Sequence, residues 1–359
     1  MKTLLRLLLK TQHQQNRSKQ VQTEKGMTLV ELLVGSIMAF LIITPMLAFV
    51  VDMLNTDRRE QVKSNTEQDV QAAVDFIAQD LNQAIYIYDN NTINNAAADG
   101  TAGIRTQLPN PNGGTPILVF WKRQQIPNAV SVNTNPANRV LPKDCASTTC
   151  NDTYVRSLVA YYLVRETPPP NSIWCQPSGV NCPSRIERYE IREGVRNPGS
   201  ANPVTQPYYN NNDANNGQQV SPAFNSNFNF SQPRLNVTTP TGFTDPIFMG
   251  QNPQVLVNYI DQTAVPASDP QECEKALGNP TATVPGQIAP VAILEPTLRV
   301  SDPANSFYAC VDSARNLARV TIRGNSLRRL QADAPYNPKN PAFFPTASVQ
   351  VQGRGALGQ

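Results

Sequence analysis

Histidine is almost missing: the 359 residues contain one, His13. Export of the chain without its first residues would leave no imidazole at all. That excludes a Ser-His-Asp or Cys-His catalytic arrangement and histidine metal ligation. Charge is also scarce, at 16% of residues. The acidic residues are scattered, with no Asp-rich calcium loop, and neither GxxxxGK[ST] nor GxGxxG occurs, so phosphate cradles are absent from the motif inventory. The net charge of +3 is misleading. Residues 1–26 hold six basic side chains against one acid, a net of +5, and the remainder holds 24 basic and 26 acidic, a net of −2. Without that basic leader no positive excess remains to argue for nucleic acid. Proline, by contrast, is abundant at 31 residues, which fits a loop-rich extracytoplasmic domain better than a cytosolic enzyme.

The six cysteines, Cys145, Cys150, Cys175, Cys182, Cys273 and Cys310, all follow the one long apolar run. In an oxidising compartment, proximity favours the pairs 145–150, 175–182 and 273–310 among the 15 that six cysteines allow. A four-thiolate zinc site is the alternative, disfavoured because neither short spacing is the C-x2-C knuckle of structural zinc.

That run, Met27–Val51, carries a single charge, Glu31. A helix of about 20 apolar residues spans the hydrocarbon core, so 27–51 reads as a membrane segment with the basic leader on the cytoplasmic side. An ordinary secretory signal places its cleavage site after the apolar run. Here the small residue, Gly26 behind Lys25, comes before it, and the expected cut is between Gly26 and Met27, with the apolar helix retained. Glu31 then becomes the fifth residue of the mature chain. A lone carboxylate at membrane depth costs about 2.5–3.5 kcal/mol on insertion scales and demands a partner. The nearest candidate is the new α-amino group, in the same chain or a neighbour stacked beside it. An uncleaved signal anchor with a snorkelling glutamate is the alternative. The residues Gly26-Met-Thr-Leu-Val-Glu31-Leu-Leu33 resemble the class III signal of type IV pilins and pseudopilins. The resemblance implies cleavage after Gly26 by a prepilin peptidase, N-methylation of Met27 where the family usually has Phe, and an assembly role for Glu31. The long leader and the early position of Pro45 depart from the family pattern.

Beyond the membrane segment, Val62, Val70, Ala73, Val74, Ile77, Leu81, Ala84 and Ile85 repeat by threes and fours, a helical stripe. Arg58, Arg59, Glu60, Lys63, Glu67, Asp69 and Asp80 read as its wet face. A single helix from Met27 to about Tyr88 would be roughly 90 Å long at about 1.5 Å per residue, with Pro45 as a kink site. Residues 90–114 read as loop. Strands are expected at 116–121, 154–166, 185–192, 255–260, 319–323 and 348–352, the last two alternating as edge-accessible strands do. Pro168–Pro170 and Cys175 and Cys182 would pin the loop between the second and third. Residues 195–250, dominated by Asn, Pro, Ser and Gln, are expected to be a disordered insertion, or alternatively an interdomain linker.

The expected architecture is therefore α+β. It comprises a leader (1–26), a transmembrane and assembly helix (27–51), its amphipathic continuation (52–89) and an exported β-rich domain (90–359) with long disulfide-pinned loops. Among candidate contacts, Arg319 and Arg323 share a strand face within the run Arg315–Arg329. They are suited to an acidic polymer or a neighbouring subunit, the alternative being a solvated sheet face. Tyr161, Tyr162 and Trp174 read as core beside a disulfide in preference to a sugar platform. No cofactor or metal site is expected.

The helix QDVQAAVDFIAQDL at Gln68–Leu81 resembles minor pseudopilins of the PilW/PulJ class, whose pilin-like fold matches this order of elements. FYACVDSARNLARVTIRGNSLRR at Phe307–Arg329 and FPTASVQVQGRG at Phe344–Gly355 resemble the pseudopilins of hormogonium polysaccharide secretion, the HpsC type. This resemblance implies a non-enzymatic, single-pass subunit of the inner membrane with its C-terminal domain periplasmic or extracellular. Its implied partners are the peptidase, other pilins or pseudopilins through the N-terminal helix, an inner-membrane assembly platform and an acidic polysaccharide. The alternatives are a minor pilin priming pilus assembly, a type II protein-secretion pseudopilin, or a membrane-anchored glycosidase, since such enzymes need only two carboxylates.

Overall fold

A computed structural model describes residues 28–94, 103–108, 114–133, 135–165, 172–177, 182–203, 206–215, 217–221, 224, 253–265, 269–283, 285–287, 289–302 and 304–354. The expected cleavage site at Gly26 and Met27, the triple proline and most of the second half of the 195–250 insertion lie outside the described residues. The chain divides into two compact units, Met1–Arg58 and Arg59–Gln359.

The first unit consists, in its described part, of the opening turns of helix α1 (Leu29–Leu81). Between Glu31 and Asp52 it carries no charge and its side chains are predominantly apolar on every side, as a helix in a lipid or helix-bundle environment requires. The helix is continuous through Pro45, which has no N–H to give to the Leu41 carbonyl. One residue earlier, the Thr44 hydroxyl donates to Phe40 O at 2.8 Å.

In the second unit α1 changes character. Thr66, Val70, Ala73, Val74, Ile77, Asp80 and Leu81 are buried, a stripe at spacings of three and four. The helix ends at Leu81 and does not run on to Tyr88. Ala84-Ile-Tyr-Ile87 instead forms β1 (Ala84–Ile87), whose aromatic and β-branched side chains favour a pleated, two-sided burial that a helix face would not supply.

Five antiparallel strands follow one another in a meander: β1, β2 (Thr115–Ser131), β3 (Cys150–Val164), β4 (Ser184–Arg192) and β5 (Gln254–Ile260). β2 is 17 residues long, far beyond the apolar PILVFW that announces it. Its outer end carries a register shift between Ile126 and Val130, with Asn128 in the left-handed region at φ 48°. A second antiparallel sheet has the order β11 (Thr346–Gln352), β10 (Leu317–Arg323), β9 (Phe307–Asp312), β8 (Arg299–Ser301). Of the two alternating strands expected at an edge, only β11 lies at one. β10 pairs on both sides, with Thr321, Ile322 and Val320 buried. A small hairpin, β6 (Thr281–Ala282) and β7 (Val291–Ala292), lies between the sheets in sequence. The α+β class expected from the sequence is what the structure has.

One hydrophobic core joins the stripe of α1 to both sheets, from Ile77 and Leu81 through Phe120 and Tyr161 to Phe307 and Ile322. Each fully buried side chain of this size contributes about 1.5–3 kcal/mol of transfer free energy. Gly324, just after β10, lets α1 approach closely. A Cβ there would lie 2.9 Å from Thr66 Cγ2 and 2.9 Å from Val70 Cγ2. Gly324→Ala is expected to lower stability by about 1–3 kcal/mol, since both contacts belong to short, branched side chains with nowhere to turn. An unchanged denaturant midpoint would show that the helix can shift freely.

The 195–250 insertion, expected to be disordered, is not so in its described part. Its first part is ordered: Val195, Tyr209 and Ala214 are buried against Ile126, Ala129 and Val155 in a satellite core. The segment lacks apolar residues to fold on itself but borrows the outer ends of β2 and β3 as a partner surface. Three disulfides join Cys145 to Cys150, Cys175 to Cys182 and Cys273 to Cys310, with Cα–Cα distances of 5.5, 4.6 and 5.2 Å. These are the pairs that proximity favours, and no described cysteine is left for a thiolate metal site.

Candidate functional site

Two features of α1 stand out, one in each unit. In the first unit, residues Leu29–Leu54 expose their large apolar side chains to between 47% (Val50) and 84% (Leu29). This is the one described helix long and apolar enough to cross a membrane, and none of its most apolar window is buried. Glu31 is its first-turn acid. The Glu31 backbone N–H donates to Thr28 Oγ1 at 3.3 Å, so Thr28 and Glu31 stand as the first and last members of a T-x-x-E capping sequence. A carboxylate there also faces the positive end of the helix dipole. Both features favour the local helix start and leave the carboxylate exposed for an outside cation.

In the second unit, Asp80 belongs to the buried stripe and not to the wet face its charge suggests. Its carboxylate accepts from Lys122 Nζ at 3.0 Å, Tyr161 Oη at 2.7 Å and Arg188 Nε at 2.6 Å. Glu190 completes the group, accepting from Arg188 Nη2 at 2.8 Å with Lys122 Nζ 3.6 Å away. The Arg188 guanidinium also lies 5.7 Å from the Phe76 ring centroid. Lys122 and Arg188, with Arg192 3.6 Å from Glu190, thus meet two carboxylates where the helix crosses β2, β3 and β4. Burial alone would raise the Glu190 carboxyl, but Lys122, Arg188 and Arg192 outweigh it and bring it down to about 2. Burial and the Asp80 charge push the Tyr161 hydroxyl well up, so it stays a proton donor. These groups are locked in one another and in apolar packing, an arrangement that fastens helix to sheet.

The sequence points only faintly to this cluster. Asp80 falls three residues after Ile77 and one before Leu81, on the stripe by spacing. Its charge argues for the solvated face instead. The alternation in Arg185–Arg192 is likewise not a wet face against a dry one. β4 lies between β3 and β5, so Arg185, Glu187 and Arg188 are all buried and paired.

The arginine run serves the fold more than a surface. Arg323 donates to Asp261 Oδ2 at 2.9 Å and to the carbonyls of Thr263 and Ala304, with Tyr336 under its guanidinium. Arg328 is buried and donates to Pro177 O, Arg329 pairs with Asp69, and Arg315 binds Asp312. Arg319, on the same strand face as Arg323, reaches Ser348 Oγ at 3.5 Å. Arg323 is thereby committed to the interior, and the pair does not form one outward patch. Tyr161 and Tyr162 are core residues with no exposure, and Trp174 sits half-buried beside the Cys175–Cys182 bridge with Arg185 5.5 Å from its ring. Among the described residues no group of three or more His, Cys, Asp or Glu side chains is placed to hold a metal ion.

No family model, curated protein or solved structure matches this chain.

Proposed function

We propose that the chain is a minor pseudopilin, a structural subunit of a type IV pilus- or type II secretion-like machine that exports an extracellular polysaccharide of the hormogonium type for gliding. One observation carries the reading: a single helix changes from unburied and uniformly apolar, with Glu31 in its first turn, to a stripe packed on an antiparallel sheet. A helix of that kind serves first as a membrane anchor and then as the packing element of a filament. The Gly26–Glu31 signal supports processing by a prepilin peptidase. The three disulfides support an oxidising compartment for the sheet-bearing unit. On this reading work comes from elsewhere in the machine. The subunit contributes shape and an apolar helix that bundles with other pilins or pseudopilins above an inner-membrane platform.

Deleting the gene while measuring released polysaccharide and surface pili in the same cells tests the assignment. Loss of polysaccharide with pili intact is the expected result. Loss of pili, or unchanged polysaccharide, would overturn it in favour of a pilus-priming or protein-secretion subunit.

A further inference from the structure

A cleft opens where the outer end of the β2–β3 hairpin meets the chain leaving β4. Its lining includes Tyr154, Arg156, Glu193, Arg196, Pro198 and Pro207, and its volume is about 440 Å³. That lies within the range of about 300–1,000 Å³ typical of sites for small ligands.

Its wall is built around one acid. The Glu193 side chain, only 7% exposed, meets Arg156 Nε at 3.2 Å and Arg196 Nη2 at 3.3 Å, and accepts from the Tyr208 hydroxyl at 3.2 Å. The carboxylate therefore holds two guanidiniums at one wall, and two cations against one anion leave a net positive charge. Arg196 spends its Nε and Nη2 edge on Glu193 while its side chain remains 67% exposed. Guanidinium planes fixed by a buried acid need little ordering to grip a second, incoming carboxylate or sulfate in forked geometry. Beside them stands an aromatic ring that the core does not use. Tyr154 is 53% exposed, and the Arg123 guanidinium lies 3.7 Å from its ring centroid, which holds the ring in place by cation–π attraction. Prolines supply further rigid apolar surface. A charged fork next to a flat apolar ring matches a pyranose that carries an acidic group at one edge and C–H bonds on its face. A neutral sugar would leave the cations unused. A nucleic acid would need a broader basic field than a chain of net −2 beyond its leader supplies.

We propose that this cleft binds an acidic sugar unit, a uronate or a sulfated pyranose, of an extracellular polysaccharide. The proposal rests on the polysaccharide-export reading for its natural ligand but not for its chemistry. It also moves the polymer contact away from Arg319 and Arg323 to Arg156, Arg196 and Tyr154.

Calorimetric titration of the full chain in detergent, at fixed salt, with tetragalacturonate, a sulfated tetrasaccharide and uncharged maltotetraose tests it. One or both acidic oligosaccharides should bind, and the one that binds identifies the anion. Maltotetraose should bind about tenfold more weakly or not at all, and Arg196→Gln and Tyr154→Ala should each weaken acidic binding about tenfold. Both positions are exposed, so both variants should keep the fold by circular dichroism. Lys339→Gln, which removes one exposed charge elsewhere, should leave affinity unchanged. Failure of both acidic ligands, equal binding of maltotetraose, or full affinity in both cleft variants would each overturn the proposal. The two readings fail separately. Binding lost only in the cleft variants, together with unchanged polysaccharide release on gene deletion, would sink the export assignment and leave the cleft standing. Lost release with no glycan binding would do the reverse.

Discussion

Asp80→Ala is expected to destabilise the sheet-bearing unit by about 3–5 kcal/mol, the usual cost of removing one partner from a buried ion cluster. The wild-type carboxylate takes hydrogen bonds from Lys122, Tyr161 and Arg188 together. Without it, Lys122 and Arg188 are left to share Glu190 with Arg192, and Lys122 stands 3.6 Å from that carboxylate. Two buried cations then face one anion, and Tyr161 loses its acceptor. Asp80→Asn should fall between, since the amide keeps the shape and one acceptor but brings N–H groups toward donors. Urea unfolding of the full chain in detergent, followed by far-ultraviolet circular dichroism, measures both. A loss below about 1 kcal/mol for Asp80→Ala, the size found for surface pairs, would mean that water screens the cluster and that apolar packing alone holds α1 on the sheet.

The same cluster sets the sign of the acid response. Glu190 ionises at about 2 in the folded chain, against an ordinary 4.5. Its folded value is depressed, so the stability it confers is complete above 4.5 and is lost as pH falls from there toward about 2. Urea unfolding at a series of pH values should therefore show no loss from Glu190 until the pH falls below about 4.5.

How much of this was legible beforehand follows from which residues hide their role. The stripe Val70, Ala73, Val74, Ile77 and Leu81 announces itself, because helical periodicity and apolarity agree. β3 is equally plain, as a long β-branched and aromatic run, and β4 as an alternation of Ile186, Tyr189 and Ile191 with charged neighbours. The disulfide pairs follow from sequence proximity. Asp80, Lys122 and Arg188 were not legible as a group. Each is charged, and single-residue charge argues for solvent. Only the crossing of α1 over three strands brings them together, and that crossing is a property of topology. The ordering of residues near Val195 and Tyr209 was hidden for a related reason. Their burial depends on Ile126, Ala129 and Val155 of other strands, so local composition understates it. The cleft was hidden twice over, since Tyr154 and Arg156 lie in a strand and Glu193 and Arg196 beyond the next one.

On the proposed pseudopilin reading, Glu31→Ala is expected to abolish incorporation of the subunit into its assembly while leaving a chain that begins at Met27, as mass spectrometry of the membrane fraction would read. Two accounts of Glu31 make different demands. In one, the glutamate closes a capping sequence with Thr28, whose hydroxyl accepts the Glu31 N–H, and supports the start of α1. In the other, its carboxylate neutralises a processed α-amino group, relieving a cost of about 2.5–3.5 kcal/mol that an unpaired charge at membrane depth carries. Glutamine serves in the capping sequence nearly as well as glutamate but carries no charge. Glu31→Gln therefore separates them. Pairing predicts that Glu31→Gln fails to assemble as badly as Glu31→Ala. Capping predicts that Glu31→Gln assembles normally. A relief of about 3 kcal/mol corresponds to more than a hundredfold in an assembly equilibrium at about 1.4 kcal/mol per tenfold, so the two outcomes lie far apart in a cross-linking or pull-down measurement. Efficient assembly of Glu31→Gln would remove the charge-pairing role and leave Glu31 as a helix-start residue. Failure of both variants, with processing intact, would fix the carboxylate charge as what selects the register between neighbouring apolar helices.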